Sequence, residues 1–546
     1  MSGSAIAWGD APSWVAAVAT VLTFLFAAVA AVAAHRIYRI ESERDRLEAE
    51  VRRRQDSFLR RAQAALVSTW WGRRPAGRDG DGGRYGAFLR NASETPVYQA
   101  ALTVVDINDP DRTERFAVAV VPPASRPEFY PTRLDQRPGD RRVEVTFTDS
   151  TGIRWIRDQH GQLSELRPEV VVWADTLRAR PLGQLADEFL TTHGVRASLS
   201  IHRWARPPAS MVGDAGSLDV PDVLLGPHDD IGYLAGERLI EPWTVSARRR
   251  ALFVDRAIGA VTRDGELYAL PYALDAPVLF RNTELAPRPP DTVEELIRTG
   301  EELRAAGRVT QPVIIPVGPD GEPFYLYPLL VGAGGWLFGR DAGGDLTTRL
   351  VGVAGPESVA ALDRFRELGK AGLDALSPDI DEERSVEAFL EGRAPYLISC
   401  SWALADIRRS GVPYGLSRIP PYAGHPPVRP LVSVEAFFLI RHGANKAIAG
   451  DWVAYHLTRR DVALGLHREM PRPPALRDAL DEVLRTDEEI AAVHRIWAAG
   501  DLMPSDPAMV RCWRVLAAAE MDLIAGGSPG PIAHRLDQSL RELFAG

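Results

Sequence analysis

The chain has 546 residues, 45% of them hydrophobic and 25% charged, with a formal net charge of −9. That length exceeds what one hydrophobic core organises, and the negative balance gives no reason to expect a nucleic-acid partner. Two cysteines, Cys400 and Cys512, exclude a disulfide framework and a cysteine zinc site, while a single bridge between them stays open.

Ser13 to Ala34 carries no charge and is dominated by Ala, Val, Leu and Phe. At 1.5 Å per residue this run reaches about 33 Å, enough to cross a hydrocarbon layer of about 30 Å. Trp8, Trp14 and Tyr38 stand where interfacial aromatics belong. Residues 1–35 are therefore read as a transmembrane helix. A cleaved signal peptide is the rival reading, with Ala31-Val32-Ala33 as its cleavage site. Arg36, Arg39, Arg44, Arg46, Arg52, Arg53 and Arg54 follow the span and no Lys or Arg precedes it. The positive-inside rule then predicts a single-pass protein with its N-terminus out and its soluble part in the cytoplasm; an extracytoplasmic soluble part is the alternative.

Residues 36–86 read as a stalk helix, His35 to about Trp71, and a Gly/Arg linker, Gly72 to Gly86. From 87 to 166 the hydrophobic period changes to two, and turns such as Arg137-Pro138-Gly139-Asp140 separate strand-like runs. This predicts a small antiparallel β-sandwich. The stretches from Asn91 to Tyr98 and Phe147 to Arg157 resemble a β module that follows a membrane helix in many actinobacterial proteins. Asn91-Ala92-Ser93 also fits a glycosylation sequon, which is read as coincidental.

From 167 to 546 the pattern is strand–helix–strand. Val170-Val171-Val172-Trp173, Val195 to Leu199 and Asp222-Val223-Leu224-Leu225 are buried-strand runs; Pro181 to Thr192, Thr292 to Ala306 and Val359 to Leu368 are helical. The succession Val170–Trp173, Pro221–Leu225, Asp264–Tyr272, Leu279–Leu285, Ala388–Ala394 and Met503–Pro507 resembles, in order, the extracellular solute-binding family typified by maltose-binding protein. That resemblance implies a two-lobed α/β fold of the type II periplasmic-binding kind. It implies lobe crossings near 272–282 and 430–440, with a ligand in the cleft and hinge closure around it.

The same resemblance places candidate ligand contacts. Arg178 follows the first strand, with Leu177 in place of an acidic neighbour. His228 and Asp229 lie in the loop after the third strand, where Gly226 replaces a stacking tryptophan and Asp230 an arginine. Asp275 follows the crossing strand. Glu322 and Phe324 match a Glu-Pro-Tyr whose hydroxyl is lost. Trp402 and Trp513 match two stacking tryptophans, and Arg514 and Ala517 replace a tyrosine and an arginine. Aromatic faces and carboxylates together suit a saccharide. The bland reading of Trp402, Trp513 and Tyr272 is core packing, and His228 beside two aspartates is read as a ligand contact ahead of a metal site.

Gly526-Gly527-Ser528-Pro529-Gly530 formally fits a nucleophile elbow, but a helix precedes it and Pro529 follows the serine, so it reads as a turn. No enzyme, cofactor or metal is expected. The expected partners are a saccharide, the membrane through residues 13–34, and a transporter permease or a signalling protein. The expectation is a membrane-tethered solute-binding protein serving sugar import; the alternative is a cytoplasmic-facing sensor or a non-binding interaction scaffold.

Overall fold

The structure is a computed structural model. It describes residues 61–74, 84–106, 109–124, 126–132, 141–167, 169–175, 179, 182, 195–201 and 220–545. The predicted membrane span, most of the stalk and all but Leu182 of the helix expected over Pro181–Thr192 lie outside these residues. No helix among the described residues is long and apolar enough to cross a membrane.

Eight strands come first: β1 (Val67–Arg73), β2 (Tyr85–Asn91), β3 (Val97–Asp106), β4 (Asp109–Val121), β5 (Glu128–Pro131), β6 (Arg141–Thr148), β7 (Arg154–Arg157) and β8 (Leu163–Glu165). They form two sheets, ordered β1-β2-β5 and β4-β3-β6-β7-β8, with every pairing antiparallel. Val67, Leu89, Val97, Leu102, Phe147 and Trp155 form their shared core. The turn after β6 is organised by Asp149, whose carboxylate accepts from the Thr151 and Ile153 backbone and from the Trp155 indole at 2.7 Å. That explains the Asp-Ser-Thr-Gly-Ile-Arg-Trp spacing structurally. Asn91 is fully buried and its amide donates to Thr95 O and Val121 O, so the sequon is a structural asparagine.

The stalk and linker require a correction. Val67–Arg73 is a strand, not helix, and it pairs residue for residue with β2 across Gly72 and Gly86. Thr69, Trp70 and Trp71 are residue types that favour strands, and Trp70 stacks on Phe88 at 5.3 Å. The charged helical pattern before them masked the change of period.

The first lobe is built on β9 (Glu169–Ala174), β10 (Arg196–Ile201) and β11 (Val223–Pro227), followed by a hairpin of β12 (Thr262–Arg263) and β13 (Glu266–Leu267), and then β14 (Ala269–Asp275). Asp264 and Gly265 turn the hairpin with φ of 52° and 81°, the left-handed pair that a tight two-residue turn demands. The second lobe carries β15 (Val278–Asn282), a hairpin of β16 (Phe338–Arg340) and β17 (Leu346–Val351), β18 (Tyr396–Ser399) and β19 (Tyr414–Ser417). The chain then returns as β20 (Leu431–Leu439) and β21 (Asp501–Leu502). The first-lobe sheet runs β10-β9-β11-β20-β14 with β21 beside β20, and the second-lobe sheet runs β18-β15-β19.

Three passages join the lobes. Buried Ala276 separates β14 from β15, residues 418–430 lead from β19 to β20, and residues 503–508 lead from β21 to the helix Met509–Ile524. Asp501, just before the third passage, binds one arginine of the second lobe and one of the second passage. It accepts two bonds from Arg340 at 2.8 and 2.7 Å and another from Arg429 at 2.6 Å. Gly232 fits against the third passage so closely that a Cβ there would lie 2.1 Å from Ser505 O. The serine motif is the expected turn: Ser528 precedes the helix Pro529–Phe544. Cys400 and Cys512 are both buried and form no disulfide with each other.

Candidate functional site

A cavity of about 700 Å³ lies between the lobes. The first lobe presents strand ends to it: Asp175 after β9, Asp229 after β11, Asp275 closing β14, and Ser433 and Glu435 from β20. Placement beyond strand ends is where open α/β sheets bind ligands. The second lobe contributes Glu322 and Phe324 at the start of the helix Pro323–Gly332, Trp402 just after β18, and Trp513 and Arg514 from the helix Met509–Ile524. Gly321, with φ of +84° and its α-carbon against Ala517, sets the turn that brings Glu322 to the rim.

The cavity side chains are held in place by bonds within the protein. Trp513 donates its indole N–H to Asp229 Oδ2 at 2.8 Å, from one lobe to the other. Asp275 pairs with Arg472 at 2.9 Å, both side chains 4% exposed. Its Oδ1 also accepts from the Ser401 backbone N–H at 3.0 Å and the Ser401 hydroxyl at 2.8 Å. Burial pushes the Asp275 carboxyl above its ordinary value, against the pull of Arg472 and Ser401. Trp402 donates to Tyr325 Oη at 3.4 Å, and that hydroxyl donates to Glu382 Oε1 at 2.5 Å. Burial first, then the Glu382 charge, hold the Tyr325 phenol well above its usual range. Ser433 donates to Glu435 Oε1 at 2.9 Å. Phe324 packs edge-on to Tyr325 at 5.4 Å.

Of the residues expected from sequence, Asp229, Asp275, Glu322, Phe324, Trp402, Trp513 and Arg514 all line this cavity. His228 does not. It is 1% exposed; its Nε2 faces Met503 O at 3.1 Å and its Nδ1 accepts from the Val434 N–H at 3.2 Å. Burial lowers its pKa, so it is a neutral core histidine fastening the third passage to β20. Arg178 lies outside the described residues. Reading by sequence missed Asp175, Tyr325, Glu382, Cys400, Ser433, Glu435 and Arg472. Two of them carried a signal: Glu435 is a lone acid in the fully buried strand Leu431–Leu439, and Arg472 is a charge inside a proline-rich run. A buried charge in such a setting implies a partner or a ligand.

Aromatic faces on the second-lobe wall, fixed carboxylates on the first-lobe wall and three passages between the lobes define a ligand-binding protein of the two-lobed type. Residues 184–492 match the family described as bacterial extracellular solute-binding protein, and the chain belongs to that family. Curated relatives include a galactooligosaccharide-binding protein of Bacillus subtilis, 24% identical over 68% of this chain and 87% of its own length. A maltotriose-binding protein of Pyrococcus abyssi is 25% identical over 54% of this chain and 63% of its own. A maltodextrin-binding protein of Bacillus subtilis is 25% identical over 58% of this chain and 74% of its own. These relatives are binding proteins rather than enzymes, and so is this chain.

Proposed function

We propose that the chain binds a saccharide in the inter-lobe cavity and delivers it to an importer permease while tethered to a membrane through residues 13–34. The observation that carries the reading is the pairing of Trp402 and Trp513 with carboxylates fixed by hydrogen bonds on one cavity wall or the other. Sugar rings stack on indole faces, and their hydroxyls donate to carboxylates already aimed at them. The saccharide-binding relatives support the same class of ligand. A thermal-shift panel of gluco- and galacto-oligosaccharides tests it. A ligand at about 100 times its Kd adds about 2.7 kcal/mol to the folded state; no shift with any saccharide removes the reading.

A second reading follows from the charge pattern. The arginines after the span favour a cytoplasmic soluble part, which suits a membrane-held sugar sensor instead of an import receptor. A C-terminal phosphatase fusion separates the two: activity outside the cell supports import, and its absence supports the sensor.

A further inference from the structure

Trp513, Ala517 and Glu520 are spaced four and then three residues apart along the helix Met509–Ile524, so they share one face of it. Trp513 and Ala517 line the ligand cavity. Trp513 and Glu520 line a second, smaller cavity of about 50 Å³. Trp513 and Pro323 belong to both cavities and form the partition between them. Apart from Glu520 and the Tyr327 phenol the smaller cavity is apolar, with Leu326, Leu330, Leu362 and Phe365 in its wall.

An acid is out of place there. Glu520 is 5% exposed, and neither of its carboxyl oxygens has a hydrogen-bond partner among the described residues. The titratable groups beside it are Glu322, whose charge acts on it, and Tyr327; the helices Pro356–Leu368 and Pro529–Phe544 present Leu362, Phe365 and Leu536 to the same space. Glu322 itself lines the ligand cavity. Burial first, then the Glu322 charge, push the Glu520 carboxyl well above its ordinary value, and the Glu322 backbone N–H pulls the other way without closing a hydrogen bond. A neutral carboxyl can stay packed in such a place. An ionised one must draw in water or swing away, and either movement disturbs the helix face that holds Trp513.

We infer that Glu520 is the positioning residue for Trp513: the neutral acid packs behind the indole and keeps it seated against Asp229, and loss of its proton unseats the ring. A ligand that stacks on the seated ring then selects the protonated form. The effect on ligand binding rests on the saccharide reading above; the effect on Trp513 does not.

The full chain in detergent, without ligand, gives the first test. Its tryptophan emission should change as pH rises from about 6 to 10, a range that spans the values buried glutamates reach. The change should vanish in Trp513→Phe, which identifies the ring, and in Glu520→Gln, which stays neutral. A change that persists in Glu520→Gln, or none in the wild type, overturns the inference. Calorimetry with maltotriose and galactotriose as probes gives the second test. Each pH unit above the folded value of Glu520 should weaken sugar binding about tenfold, while Glu520→Gln binds equally across the range. Wild-type binding at about pH 9, compared in buffers of different ionisation enthalpy, should take up a proton, a readout that needs no variant. Sugar binding with no proton taken up overturns the inference. No binding of either sugar, with the emission change as expected, removes the saccharide reading and supports the positioning of Trp513.

Discussion

Trp513 of the second lobe and Asp229 of the first are joined by a direct hydrogen bond of 2.8 Å across the cavity mouth. One bond therefore does two things. It fixes an aromatic face at the site, and it fastens the lobes in the conformation described.

Those two roles separate by substitution. Trp513→Phe keeps an aromatic face but loses the donor, and should weaken ligand binding by about 1 kcal/mol, the net value of a typical hydrogen bond. Trp513→Ala loses the face as well and should cost about 2–4 kcal/mol. Titration calorimetry of both variants checks this; equal losses would show that the ring contributes nothing beyond its N–H.

Asp275 and Arg472 form a buried ion pair at the heart of the cleft wall. Removing one partner strands the other charge, so Asp275→Ala should destabilise the fold by about 3–5 kcal/mol. Urea unfolding measures it. A loss under 1 kcal/mol would mean that water reaches Arg472.

Where the β unit meets the first lobe, Asp451 is buried against Glu144, with Asp158 and Arg142 near and Gln159 donating to it at 3.3 Å. Burial first, then the Glu144 carboxylate, raise the Asp451 pKa. A raised carboxyl binds its proton more tightly in the folded state, so its cost is absent below the unfolded value, about 4, and grows as pH rises through the folded one. Asp451→Asn keeps an acceptor for Gln159 and should raise Tm more at pH 8 than at pH 5. Paired melting scans decide it, and a pH-independent difference would contradict the account.

Asp501 behaves oppositely. Burial raises its carboxyl, yet hydrogen bonds from Arg340 and Arg429 hold it below its usual value. Its contribution is present above the unfolded carboxyl value and is lost as pH falls through the folded one. Asp501→Asn should cost about 2 kcal/mol at neutral pH and less in acid. Because Arg340 belongs to the second lobe and Asp501 to the first, the variant should also speed ligand release in stopped-flow fluorescence.

Much of this was legible in the sequence because local chemistry forces it. Val170–Trp173 and Val223–Leu225 announce their strands as continuous apolar runs. Thr292 announces the helix Val293–Ala305 by capping the Glu295 N–H. Trp402 and Trp513 were placed by an ordered set of motifs. His228 was misplaced because the loop position fits a ligand contact, whereas the backbone groups that claim its ring come from Met503 and Val434, far away in sequence. Tyr325, Glu382 and Arg472 went unread for the same reason: their roles arise from partners that only the fold brings together. The strand Val67–Arg73 was hidden by the helical charge pattern that runs into it.

The central claim is that the inter-lobe cavity, with both tryptophans, holds a sugar. The most direct test is calorimetry of the full chain with the tightest saccharide of the panel, beside Trp402→Ala and Trp513→Ala. The account predicts one site per chain and at least about a thirtyfold loss in each variant. Undiminished affinity in both variants would contradict it.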